Sequence, residues 1–155
     1  MKFIVQDFKA VSVDAEPKLT FHGADTPHRI YEFYKNVVEA DQGYEPEKEH
    51  VIVIALNTRM TVTGWHLVSV GGLSEATCHP REIFRPVIAR CAHSFVMAHN
   101  HPSGDPSPSR ADDLVTRRIK EAADLLKIDL ADHVIIGTPA PGRSGYYSFR
   151  ESGVL

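Results

Sequence analysis

The segment Ser94-Phe95-Val96-Met97-Ala98-His99-Asn100-His101-Pro102-Ser103-Gly104-Asp105-Pro106-Ser107-Pro108-Ser109-Arg110-Ala111-Asp112 decides how this chain is read. It opens on an apolar run, Ser94 to Ala98, of the kind that forms a short strand buried in a sheet. It closes on Ser109-x-x-Asp112. Beyond that pair, Leu114, Val115, Ile119, Ala122, Ala123 and Leu126 recur at the spacing of one apolar helix face. Between strand and helix lie His99 and His101. In extended backbone, side chains i and i+2 point to the same side, so both imidazoles can reach one ion. Pro102 and Gly104 turn the chain. Asp112, in the first turn of the helix, can swing back as a third ligand.

Each part has a plainer reading by itself. A lone His-x-His is usually incidental, and Ser-x-x-Asp before an amphipathic helix is most often a cap. Their joint occurrence at a strand-to-helix junction favours a metal site, and a cap is compatible with a ligand at the same residue. Zinc suits a mixed nitrogen and oxygen set, with bonds of roughly 2.0–2.2 Å. His99, His101 and Asp112 would leave a fourth position for water, the arrangement of catalytic zinc. The ion would lower the pKa of that water to about 7 from roughly 15.7.

Working outward, the flanking elements alternate between the two periodicities. Asp25-Thr26-Pro27 reads as a helix start, with Ile30, Phe33, Tyr34, Val37 and Val38 as its apolar stripe and an end near Ala40. Val51 to Leu56 reads as a strand buried on both faces. Asn57-Thr58-Arg59 turns it into a hairpin partner over residues 60–70, ending at Gly71-Gly72. His79-Pro80-Arg81-Glu82 opens a second helix, which Pro86 is expected to kink or break. After the third helix, residues 132–137 and 146–149 read as strands, joined by a mobile loop over 138–145. Residues 1–22 read as a strand or hairpin, with Glu16-Pro17 interrupting. The expected class is α/β, a central mixed sheet covered by helices.

At 155 residues and 43% hydrophobic content, the chain suits a single domain with a real core. Cys78 and Cys91 form no CxxC pair, which fits a reducing, cytoplasmic setting. No signal peptide or membrane span is evident in the sequence. The formal net charge of −3 supplies no global field for nucleic acid.

The string His99-x-His101-x7-Ser109-x2-Asp112 resembles the JAMM signature of the JAB1/MPN metalloprotease fold. The wording His99-Asn100-His101-Pro102-Ser103-Gly104-Asp105-Pro106, with Pro108-Ser109, is similar to the RadC-like bacterial branch of that family. Val68-Ser69-Val70-Gly71, His79-Pro80-Arg81-Glu82, Asp132-His133-Val134-Ile135-Ile136-Gly137 and Ser148-Phe149 add to the resemblance, which runs from about Glu45 to Gly153. It implies a three-layer, cytidine-deaminase-like α/β domain over residues 45–155, with residues 1–44 as a strand or hairpin and a helix packing on it. It also implies one zinc per chain and a glutamate as general base. Glu45, Glu47 and Glu49 are available; Glu49, directly before the apolar strand, is the expected base. Ser109 is expected to donate to the oxyanion.

The expected reaction is hydrolysis of a peptide or isopeptide-like amide in a peptide or protein substrate. Two alternatives stand beside it: a RadC-like, DNA-associated role in repair or mobile-element biology, and a non-catalytic scaffold that keeps the metal for stability. Longer members of the family carry an N-terminal helix-hairpin-helix region, and no such glycine pattern is seen in residues 1–44. Arg110, Arg117, Arg118 and Lys120 cluster on the third helix, a pattern more often a solvated face. His79 is expected to cap a helix, His133 to be a satisfied strand histidine, and Cys78 to pack.

Overall fold

In the computed structural model, residues 23–71 and 78–155 are described. The strand or hairpin expected over residues 1–22 lies outside them. Helix α1 spans Pro27–Phe33, with Thr26 as its cap: the Thr26 hydroxyl accepts the Arg29 N–H at 3.3 Å. The helix then widens into a π-helical turn over Tyr34–Val38, where the Glu39 N–H donates to the Tyr34 carbonyl at 3.0 Å. Strand β1 (Glu49–Leu56) and strand β2 (Val62–Gly71) form the expected hairpin. Helix α2 (Pro80–Ala89), strand β3 (Ser94–Asn100), helix α3 (Arg110–Leu126), strand β4 (Asp129–Ile136) and strand β5 (Tyr146–Ser148) complete the order.

Of the kink or break expected at Pro86, the break is absent. Pro86 does not divide α2, which runs unbroken from Pro80 to Ala89. A proline here removes a single helical hydrogen bond, and the helix ends three residues later, so little ladder is lost. His79 caps α2 as expected, accepting the Arg81 N–H at 3.3 Å.

The sheet runs β2-β1-β3-β4-β5. β3 and β4 are parallel and every other pair is antiparallel. The parallel pair is joined by α3, as parallel strands require a crossover. Alternation along the strands builds two cores. Ile52, Ile54 and Leu56 of β1, with Val96 and Ala98 of β3, face the α1 side and pack with Ile30, Phe33 and Tyr34. Val51 and Val53, with Phe95 and Met97, face the opposite side and pack with Ile83, Phe84, Val115 and Ile119 of α2 and α3. The result is the expected mixed α/β architecture in three layers. Cys78 lies fully within the second core, and burial pushes its thiol up to about 12, so it packs rather than reacts.

This parity sets the site. His99 is opposite Val51 in the β1–β3 register. It shares the α3-facing side with Met97 and Phe95, two and four residues earlier. Glu49, two residues before Val51, faces that side too. The end of β3, the start of β1 and the N-terminus of α3 therefore meet at one corner of the sheet.

Candidate metal centre

His99 is the penultimate residue of β3 and is fully buried. The chain leaves the strand through His101, whose N–H donates to the Ile136 carbonyl of β4 at 2.9 Å. The loop that follows is laid against the end of β4. Thr138 N–H donates to the Gly104 carbonyl at 2.8 Å. A Cβ on Gly137 would stand 2.6 Å from that same carbonyl and 2.8 Å from the Pro106 ring, so only glycine allows this approach. The loop over 138–145 is tied to the same place: the Arg143 guanidinium reaches the Gly104 and Thr138 carbonyls and pairs with Asp105 at 3.2 Å.

Helix α3 then begins with a reciprocal capping box. The Ser109 hydroxyl accepts the Asp112 N–H at 3.2 Å, and the Asp112 carboxylate accepts the Ser109 N–H at 2.6 Å. The expected cap and the expected ligand thus coincide. The Asp112 carboxylate is buried, with Oδ1 3.1 Å from His99 Nε2 and Oδ2 3.5 Å from His101 Nε2. The two Nε2 atoms lie 3.2 Å apart. His99, His101 and Asp112 each offer one ligand atom, all within 4.8 Å of one another, a grouping that could hold a metal ion.

The donor set fits a cation on its own chemistry. His101 Nδ1 lies 2.7 Å from the Asp105 carbonyl, which can only accept, so Nδ1 carries the proton. In the neutral ring Nε2 then presents a lone pair to a second imidazole nitrogen and a carboxylate. Lone pairs converging in a buried corner are stabilised by a positive charge at their centre.

Electrostatics agree with this. Burial pushes Asp112 up, but without an ion the two rings, when they carry a proton on Nε2, donate to it, and with the hydrogen bond from Ser109 they hold the carboxyl well below the usual carboxylate range. Hydrogen bonding to Asp112 raises His101 above its ordinary value, against the effect of burial; the charge of Glu49 adds to the rise. Glu49 is thus near enough to act on His101. Of the other two glutamates, Glu45 pairs with Lys48 at 2.8 Å and Glu47 is exposed in the approach to β1.

Four residues outside the expected set complete the corner. Asn100 faces the α1 side and grips both neighbours of Glu49: its amide donates to the Lys48 carbonyl at 3.0 Å, and its Oδ1 accepts the His50 N–H at 2.7 Å. Tyr34 donates its buried hydroxyl to Asn100 Oδ1 at 2.9 Å. Asn100→Leu should therefore lower stability by roughly 2–4 kcal/mol, since each buried polar group left without a partner costs about 1–3 kcal/mol. Urea unfolding of metal-free protein measures this, and a loss under about 0.5 kcal/mol, the range of ordinary surface substitutions, would contradict it.

His133 and Thr116 lie behind His99, at 2.9 Å and 2.6 Å along one chain of hydrogen bonds. The expectation of a satisfied histidine is met, but its partners belong to the corner that groups His99 with Asp112. Burial, then the positive field of His99, holds His133 well below its ordinary value. The sequence signal was weak: a polar Asp132-His133 pair inside an otherwise apolar strand.

The fold and corner define a class, a mixed α/β domain with a two-histidine, one-carboxylate cluster at a strand-to-helix junction. The profile of the RadC-like JAB domain family matches residues 24–154. The chain belongs to that family. It is 40% identical over 155 residues to the UPF0758 protein of Pelodictyon phaeoclathratiforme, covering 97% of this chain and 68% of that one. To the UPF0758 protein of Thermotoga maritima it is 40% identical over 131 residues, covering 84% of this chain and 54% of the relative. To that of Rubrobacter xylanophilus it is 46% identical over 109 residues, covering 70% and 45%. The chain thus spans from about two thirds to under half the length of these relatives. Among the described residues no helix is long and apolar enough to cross a membrane.

Proposed function

We propose that this chain is a zinc-dependent hydrolase that cleaves a peptide or isopeptide-type amide in a protein substrate. The observation that carries the reading is the convergence of His99, His101 and Asp112 on one buried corner, with Glu49 on the same face of the adjacent strand. His99, His101 and Asp112 would hold the ion, and the mixed nitrogen and oxygen set suits zinc. When bound, zinc supplies Lewis-acid polarisation of the amide carbonyl and a water acidic enough to deprotonate near neutral pH.

The chain's own residues do the rest. Glu49 takes a proton from the attacking water and delivers it to the departing amine nitrogen, so one carboxylate serves as base and then acid. Asn100 fixes the backbone on both sides of Glu49, which holds that carboxylate in register. Ser109 accepts from Asp112 N–H, which leaves its own proton to donate to the developing oxyanion.

The direct test is to screen the zinc-loaded protein against fluorogenic peptide and isopeptide substrates. Activity should vanish with chelator and return with zinc. A chelated protein that unfolds, with no hydrolysis by the loaded form, would support the scaffold reading instead. Asp112 gives that second reading its footing, since it also caps α3.

A pH dependence follows from His101. A proton competes with zinc for its Nε2, and the metal-free ring titrates above the ordinary value of about 6.5. Zinc affinity should therefore begin to fall on acidification above pH 6.5 and then weaken about tenfold per pH unit. Asp112 remains ionised over this range and adds nothing to the slope. Competition with a zinc indicator between pH 8 and 5.5 measures it; a flat profile would contradict the assignment of His101 as a ligand.

A further inference from the structure

We propose that Thr116 and His133 form a buried relay that decides which nitrogen of His99 carries its proton, and so turns His99 Nε2 toward the metal. The proposal rests on the metal-centre reading for its purpose but on hydrogen-bond direction for its content.

The direction is forced by one hydroxyl. Thr116 Oγ1 lies 2.7 Å from the main-chain carbonyl of Asp112, one helical turn back. A carbonyl can only accept, so the single Thr116 proton goes there. Thr116 Oγ1 is also 2.6 Å from His133 Nδ1, and with its proton committed it must accept. His133 therefore carries its proton on Nδ1. Its ring is fully buried and stacked flat on Phe149, with ring centres 4.8 Å apart and planes within 5°. In the neutral ring Nε2 is then an acceptor, and it lies 2.9 Å from His99 Nδ1. His99 must donate from Nδ1, which leaves the lone pair of Nε2 facing Asp112 Oδ1 and His101 Nε2.

The relay closes a ring through α3. Asp112 gives its carboxylate to the cluster and its carbonyl to the anchor of the chain. Ligating histidines need their second nitrogen held by an acceptor, which sets tautomer and ring orientation. Here the acceptor is itself an imidazole, which could equally have donated. The Thr116 hydroxyl removes that ambiguity. Thr116 and His133 are positioning residues; neither reaches the ligand position.

The experiment is a long-range proton–nitrogen correlation spectrum of protein labelled with nitrogen-15 in histidine, metal-free and zinc-loaded. It is joined to zinc affinity by chelator competition in wild type, Thr116→Val and Thr116→Ser. The expected result is an Nδ1–H form for both His99 and His133 in metal-free wild type. Thr116→Val should shift His133 toward Nε2–H and weaken zinc binding about 10–100-fold. Thr116→Ser, which restores the hydroxyl, should recover both readouts, which a mere packing role would not produce. An Nε2–H signal from either wild-type ring, or a Thr116→Val protein with unchanged tautomers and affinity, would overturn the relay. If Thr116→Val does not fold, the wild-type spectrum alone decides. Wild type with the expected tautomers but no affinity for zinc would leave the relay standing and remove the metal-centre reading.

Discussion

Glu49→Gln should keep its zinc and lose amide hydrolysis by about 10²–10⁴-fold, the range typical of a deleted general base. The substitution preserves size and hydrogen-bonding reach, so it isolates proton transfer from packing. Glu49 starts β1 on the side of the sheet that carries His99, and its charge acts on His101. Glutamine can still orient a water but cannot hold its proton. Because Glu49 is not among the three grouped ligands, metal content should stay at the wild-type level. Glu45→Gln and Glu47→Gln should leave the rate within about twofold, as exposed substitutions away from the corner do. Steady-state kinetics on a substrate found by screening, with zinc measured on the same samples, checks all three. A Glu49→Gln enzyme at full rate would place the proton transfer on another group.

Asp112→Ala should weaken zinc binding by more than about 100-fold, beyond the effect of removing an outer partner of a ligand. It also removes half of the α3 capping box, which costs about 1 kcal/mol on its own. Those two losses can be told apart. Asp112→Asn keeps an oxygen to accept the Ser109 N–H, now at 2.6 Å from the carboxylate, but gives up the negative charge. The metal-free Asn variant should melt below wild type at neutral pH, where the ionised Asp112 contributes stability, yet above the Ala variant because it keeps the cap, and it should still fail to retain zinc. The Ala variant should lose both the cap and the zinc. An Asn variant that binds zinc as tightly as wild type would show that Asp112 is only a cap.

How much of this was readable in advance follows from where each residue lies along the chain. His99, His101 and Asp112 fall within a single strand-to-helix passage, so their meeting needs only local geometry: the two-residue period of a strand, a turn and the first turn of a helix. Glu49 is remote in sequence, and its expected role rests on its place before an apolar strand and on the family resemblance. The strand register that carries Val51 opposite His99 places Glu49 on the same face of the sheet as His99. His133 and Thr116 were not legible as part of the site. Their contact with His99 depends on the parallel pairing of β3 and β4 and on the seating of α3, neither of which has a local signature. Asn100 was passed over for a related reason. It alternates away from the His99 side of the sheet, and its role in fixing the start of β1 exists only once β1 and β3 pair. Pro86 shows the opposite failure. A strong local rule predicted a kink or a break, and a helix near its end, with its apolar face buried, runs unbroken through the missing hydrogen bond.

The most direct test of the metal centre is X-ray absorption at the zinc edge on protein loaded with one equivalent of zinc. The proposed site predicts four light ligands at about 2.0–2.2 Å, two of them with the outer-shell scattering of imidazole rings, and loss of that signature in Asp112→Asn. A sulfur scatterer at about 2.3 Å, or a spectrum without imidazole, would place the zinc elsewhere and contradict the assignment of His99, His101 and Asp112.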